Sequence, residues 1–119
     1  HDVGDEVLKL FGGILKDSCR QEDLPARWGG EEFIVLMPYT ASGDGERLAD
    51  RVREQLARSS CPGVDRAVTA SFGVAELGED ASSMDELVSR ADQALYQAKE
   101  GGRNRVIVHG PSDDETNCV

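Results

Sequence analysis

The sequence predicts a mixed α/β domain of the α+β kind, and three observations carry that expectation. Three segments place apolar residues at the period of a helix, a Gly-Gly pair joins two short strand-like runs, and a later run alternates with the period of a strand. At 119 residues the chain is long enough for one hydrophobic core and too short to ask for two. We assign residues 1–109 to that domain and residues 110–119 to a polar, disordered tail, because Gly110 to Val119 carries Asp113, Asp114 and Glu115 with almost nothing to bury.

Val7, Leu8, Leu10, Phe11, Ile14 and Leu15 form one helical stripe, which predicts a first helix from Val7 to about Ser18. Gly12 and Gly13 lie inside it at a cost of about 1 kcal/mol each in helix propensity, so close packing against a neighbour is expected there. Leu24 to Trp28, the tight turn Gly29-Gly30-Glu31-Glu32, and Phe33 to Pro38 read as a β-hairpin whose glycines allow positive φ and close approach to the main chain. A polar loop over Thr40–Gly45 precedes a second helix, in which Leu48, Val52 and Leu56 face inward and acids alternate with arginines outside.

Val68, Ala70, Phe72 and Val74 alternate with Thr69, Ser71, Gly73 and Ala75, which predicts a strand with one small face against which something packs closely. Ser83 followed three residues later by Glu86 is a capping box. The stripe Leu87, Val88, Ala91, Ala94, Leu95 and Ala98 then carries a third helix to Lys99, where Gly101-Gly102 stops it. A last short strand is expected over Arg105–Val108.

Composition excludes several functions. There are 23 acidic and 13 basic side chains, a net charge of −10, and the pI is near 4.5, which argues against DNA, RNA or an anionic membrane as partner. A phosphate-bearing ligand must meet local positive charge or a metal. The longest apolar run, Phe33–Met37, is far short of the roughly 20 residues that span a bilayer. Cys19, Cys61 and Cys118 are scattered and odd in number, indicating neither a disulfide framework nor a zinc site, and a reducing, cytoplasmic setting is expected.

On the hairpin alone, a Gly-Gly turn flanked by solvated glutamates is a sufficient explanation. The neighbouring residues change this. Arg27-Trp28-Gly29-Gly30-Glu31-Glu32-Phe33 resembles the signature of the diguanylate cyclase (GGDEF) family, here with Glu at the third position. His1-Asp2-Val3-Gly4-Asp5, Ala70-Ser71-Phe72-Gly73-Val74-Ala75, Ala91-Asp92-Gln93-Ala94-Leu95-Tyr96-Gln97-Ala98-Lys99 and Gly102-Arg103-Asn104 resemble further family segments, in order. The resemblance implies a mostly antiparallel central sheet wrapped by helices, like nucleotidyl cyclase and polymerase palm domains. It implies an enzyme that condenses two GTP into cyclic di-GMP and two pyrophosphates across a homodimer, under an upstream sensor or regulatory domain.

By that resemblance Glu31 is a metal ligand and, with Glu32, a catalytic candidate, Glu32 alternatively holding the hairpin. Two Mg²⁺ ions, or Mn²⁺, are implied, since carboxylate-held cations neutralise phosphate charge and help deprotonate the attacking hydroxyl. Gly29 and Gly30 lie under the nucleotide; Asp5 reads guanine, with His1 on the substrate side; Lys99 and Arg103 meet the triphosphate. Asp5 also suits the positive end of a helix, and Lys99 an ordinary C-terminal cap. Arg20-Gln21-Glu22-Asp23 matches the family's R-x-x-D product-inhibition site, with Arg51 as a second contact, although a local Arg–Asp ion pair has the same spacing.

The family's opening strand, first metal-binding aspartate and guanine-contacting asparagine would precede His1. The chain is therefore expected to be N-terminally incomplete and poorly active by itself. Two other readings stay open: a cyclic di-GMP receptor without turnover, and a regulatory GTP-binding domain.

Overall fold

The structure, a computed structural model, describes residues 3–61, 63–65, 68–77 and 83–109. The elements run α1 (Val3–Ser18), β1 (Leu24–Arg27), β2 (Phe33–Leu36), α2 (Ser42–Arg58), β3 (Phe72–Val74), α3 (Met84–Glu100) and β4 (Val106–Val108). The α+β class and the element order are those the sequence predicts. The expected tail, His1 and Cys118 lie outside the described residues.

Hydrogen bonding divides the strands into an antiparallel hairpin and a parallel pair. β1 and β2 pair in the register Leu24↔Leu36 to Arg27↔Phe33, and Pro25, which has no N–H to donate, sits in the exposed strand β1, where such a residue is tolerated. β3 and β4 run parallel, Phe72↔Val106 to Val74↔Val108, joined by the crossover helix that parallel strands require.

Alternation along β3 sets the layers. Phe72 packs against the α1–α2 core and the Val74 side chain lies against Gly45 of α2, whereas Gly73, on the opposite face, lies under the backbone of α3. The β3–β4 pair is thus sandwiched between the α1–α2 core on one side and α3 on the other. The core is Ile14 and Leu15 of α1 with Leu48, Val52 and Leu56 of α2. Val52 and Leu56 are sealed from solvent, each such burial contributing about 1.5–3 kcal/mol. Phe11 bridges the two strand pairs, its ring centroid 5.0 Å from Phe33 and 6.1 Å from Phe72.

Four expectations are adjusted. α1 begins at Val3, before the apolar stripe, with Asp5 and Glu6 in its first turn, where carboxylates favour the helix dipole. α2 begins at Ser42 and absorbs part of the expected loop: the Ser42 amide donates to Oε1 of Glu76 at 2.8 Å, a cap supplied from beyond β3, and Gly45 leaves room for Val74. The strand expected over residues 68–75 is confined to Phe72–Val74, because a ladder is no longer than its partner and β4 has only three residues. Of the α1 glycines, a Cβ at Gly12 would meet the Phe33 ring at an ordinary 3.6 Å and one at Gly13 would meet nothing within 4 Å, so neither glycine is required by tight packing. The close approach expected on β3 is real and falls at Gly73.

Candidate active site and product site

The hairpin tip is a five-residue connection, Trp28 to Glu32, rather than a tight turn. It is closed by the amides of Trp28 and Gly29 donating to the Glu32 carbonyl at 2.7 and 3.3 Å. Arg27 folds its guanidinium over the tip, Nε donating to the carbonyls of Gly29 and Gly30 at 3.3 and 3.2 Å and Nη2 to Gly30 at 2.5 Å. This clamp leaves Glu31 and Glu32 exposed to solvent. Contrary to the expectation from turn chemistry, neither Gly29 nor Gly30 has positive φ, and a Cβ at either would meet nothing within 4 Å. Neither backbone conformation nor packing within the described residues explains these glycines.

At the base of the hairpin, Asp5, Leu8 and Lys9 of α1 face Arg27 and Phe33 across an open groove of about 410 Å³. Asp5 is thus placed beside the hairpin that the sequence joined to it only by resemblance. Lys9 and Arg27 were not singled out from the sequence. Lys9 was detectable as the residue one helical turn beyond Asp5 on the same face, and Arg27 as the last strand residue before the glycines.

Lys99 and Arg103 stand at the end of α3. The Arg103 amide donates to the Ala98 carbonyl at 2.9 Å and that of Gly102 to Lys99 at 3.4 Å, a Schellman termination with Gly102 at φ 123°. Arg103 and Asn104 also take left-handed backbone, φ 63° and 48°, a cost of order 1 kcal/mol or more for residues bearing a Cβ. The strain is held by the Asn104 amide donating to Oγ of Ser71 at 3.2 Å and by Arg53 Nη1 donating to Oδ1 of Asn104 at 3.3 Å. Neither described cavity is lined by Glu31, Glu32, Lys99 or Arg103.

Arg20, Asp23 and Arg51 do converge. They line a cavity of about 150 Å³ with Ser18, Met37, Asp44, Arg47 and Leu48. Residues 20–23 form a tight turn in which the Arg20 amide donates to Oδ2 of Asp23 at 2.8 Å and the Asp23 amide donates to the Arg20 carbonyl at 3.1 Å. The Asp23 side chain is fully buried and its Oδ1 has no hydrogen-bond partner among the described residues, a costly arrangement for a carboxylate. Arg51 Nη2 reaches the Ser18 carbonyl at the end of α1, 3.5 Å away. Arg47 pairs with Asp44 at the rim. Burial, and then the charge of Asp23, push the neighbouring Cys19 thiol above its ordinary value of 9.0.

A resident metal does not fit the described residues by themselves: no group of three or more His, Cys, Asp or Glu is placed to hold one. An exposed carboxylate such as Glu31 has the right donor chemistry for a hard cation, but Mg²⁺ on so few protein ligands needs substrate phosphates or further oxygens. Among the described residues no helix is long and apolar enough to cross a membrane.

The α+β domain thus sets a glycine hairpin beside a groove lined by both acids and bases, and holds a second cavity lined by three arginines and two aspartates. The family follows from comparison. Residues 1–105 match the family model described as diguanylate cyclase, GGDEF domain. The chain is 43% identical over 111 residues to the response regulator PleD of Caulobacter vibrioides, covering 90% of this chain and 24% of that protein. It is 46% identical over 107 residues to diguanylate cyclase DgcM of Escherichia coli, covering 90% and 26%. Among solved structures it resembles the active GGEEF domain of a diguanylate cyclase from Vibrio cholerae (TM-score 0.86, 31% identity, 92% of this chain and 70% of that one). It also resembles the GGDEF domain of DgcB from Caulobacter crescentus in complex with cyclic di-GMP (TM-score 0.80, 30% identity, 91% and 66%). The chain belongs to the GGDEF diguanylate cyclase family. It spans about a quarter of the length of the curated relatives named above.

Proposed function

We propose that this chain is the catalytic domain of a diguanylate cyclase, condensing two GTP into cyclic di-GMP with release of two pyrophosphates, and that cyclic di-GMP binds back at Arg20, Asp23 and Arg51. The observation that carries the first part is the hairpin: Gly29 and Gly30 have no positive φ, and a Cβ at either would meet nothing within 4 Å among the described residues, so the reason left for omitting two side chains is close approach of a ligand to the main chain. For the second part, the support is the cavity itself, where a buried carboxylate oxygen without a hydrogen-bond partner among the described residues belongs to a lining that includes three arginines. Guanine offers N–H donors to such an oxygen and an O6/N7 edge to arginine.

In this reading each subunit of a homodimer presents one GTP. Each 3′-hydroxyl attacks the α-phosphate of the other nucleotide, so that over the two attacks two new P–O bonds form, the two α–β bonds break, two pyrophosphates leave and two hydroxyl protons pass to base. Glu31 is the candidate for helping remove each proton, and Glu32, whose carbonyl closes the hairpin, holds the tip. Asp5 meets the guanine in the groove that Lys9 and Arg27 also line, His1 lies on the substrate side, and Lys99 and Arg103 meet the triphosphate. Glu31 would be one ligand of a Mg²⁺ ion completed by substrate phosphates or further oxygens, and the ion would supply charge neutralisation. An upstream sensor controls the dimer.

The test is Glu31→Gln in the full-length protein. Turnover of GTP, followed by chromatography with Mg²⁺ present, is lost while calorimetry still detects cyclic di-GMP binding; unchanged turnover would overturn the assignment. A receptor without turnover is the second reading, carried by the Arg20 cavity, whose lining residues are all supplied by this chain. An unsubstituted full-length protein that binds cyclic di-GMP but never converts GTP would establish that reading.

A further inference from the structure

The product-site reading takes the Arg20 guanidinium as a recognition group, and a flexible side chain, half exposed, recognises little unless its plane is held. The turn between β2 and α2 supplies the hold. Arg20 Nη2 donates to Oγ1 of Thr40 at 2.5 Å, a contact between residues twenty positions apart. The Thr40 hydroxyl donates in turn to the Pro38 carbonyl at 2.9 Å. With its single proton committed there, Oγ1 presents lone pairs to the arginine, which has only donors. Tyr39 between them takes left-handed backbone, φ 53°, with its ring fully in solvent. That conformation, costly for an aromatic residue, belongs to the same turn that folds Thr40 back over Pro38.

The geometry points to Thr40 as the positioning residue of the cyclic di-GMP site, an inference that rests on the reading of Arg20 and Asp23 as product contacts. Nε and Nη2 form the side-on fork of the guanidinium. Here Nε faces the carboxylates of Asp23 and Glu22 at 3.6 and 3.7 Å, and Nη2 is held by Thr40. Nη1 donates to no described residue, so the end-on fork, Nη1 with the second Nη2 hydrogen, is left for the O6/N7 edge of a guanine. The rotamer freedom of a long side chain, which an arginine ordinarily loses on binding, is surrendered in advance.

The experiment is calorimetry of cyclic di-GMP with the full-length protein in four forms: unsubstituted, Thr40→Val, Thr40→Ser and Arg20→Ala. Thr40→Val keeps shape and removes the acceptor, and it weakens binding about tenfold, the loss expected for one charge-assisted hydrogen bond. Thr40→Ser keeps the hydroxyl and stays within about twofold, and Arg20→Ala abolishes binding. Thermal melting of Thr40→Val matches the unsubstituted protein, and the Arg20 side-chain resonances lose their ordered, slowly exchanging character. Arg20→Ala binding at full strength overturns the product site and this inference with it. Arg20→Ala weak but Thr40→Val unaffected overturns the positioning role alone. Equal weakening by Thr40→Val and Thr40→Ser overturns it too, since the hydroxyl would then not be the operative group.

Discussion

Replacing Gly73 by alanine places one methyl group where the backbone of α3 already lies. Its Cβ would stand 2.2 Å from the Ala91 carbonyl oxygen, 2.4 Å from the Leu95 amide nitrogen and 3.0 Å from Leu95 Cα. Restoring an ordinary contact of about 3.4 Å to the carbonyl needs a movement of roughly 1.2 Å, and the obstacle is main chain, so no rotamer change relieves it. α3 is also tied down at both ends, by the Ser83 cap (Glu86 amide to Oγ, 3.2 Å) and by its termination at Gly102. Overpacking ordinarily costs about 1–3 kcal/mol, and with a helix backbone as the obstacle we set the loss near the top, about 3 kcal/mol. For a chain of this size that lowers the melting temperature by roughly 10–15 °C.

The assay is urea denaturation followed by circular dichroism, with thermal melting in parallel. Gly29→Ala and Gly30→Ala are the internal controls, since both positions are open: stability stays within about 0.5 kcal/mol while GTP binding by the full-length protein falls. Gly→Ala at an unstrained site stabilises by about 0.4–1 kcal/mol through the unfolded chain, so the expected sign at Gly73 is opposite to the default. A loss below about 0.5 kcal/mol for Gly73→Ala would refute the close strand-to-helix contact, and with it the layer order deduced from β3.

Gly13→Ala, in an exposed helix interior with free space around it, raises stability by about 1 kcal/mol in the same denaturation experiment; a decrease would show that α1 needs that glycine. Glu76→Gln weakens the cap on the Ser42 amide and lowers stability by about 0.5–1 kcal/mol, with hydrogen exchange accelerating in the first turn of α2 and not in its last. Because folding raises the Cys19 thiol, the folded chain keeps a proton that the unfolded chain gives up above pH 9.0. The corresponding stability is whole below that pH and declines as pH rises through the folded value. Alkylation of Cys19 by iodoacetamide, mapped by mass spectrometry, runs slower than for a free thiol, and Asp23→Asn quickens it by removing the second cause; no change on that substitution counts against the charge contribution.

What the sequence determined by itself is whatever a short stretch of chain decides alone. The stripes of all three helices, the Ser83 cap, the Gly101-Gly102 stop and the Leu48, Val52, Leu56 core face are local patterns, and the structure realises them. The motifs at Asp5, Gly29-Gly30-Glu31-Glu32 and Arg20 to Asp23 were legible for the same reason. What tertiary structure decided depends on partners far away in the chain. α2 starts at Ser42 because Glu76 caps it, β3 is short because β4 is short, and Gly73, rather than the glycines of α1, bears the close approach because α3 crosses over it. The reach of Arg51 toward the Arg20 turn, the clamp of Arg27 on the hairpin carbonyls and the hold of Thr40 on Arg20 likewise follow from side-chain direction. Periodicity reports which face of an element is buried, but not which atom of another element meets it, and the site depends on those meetings.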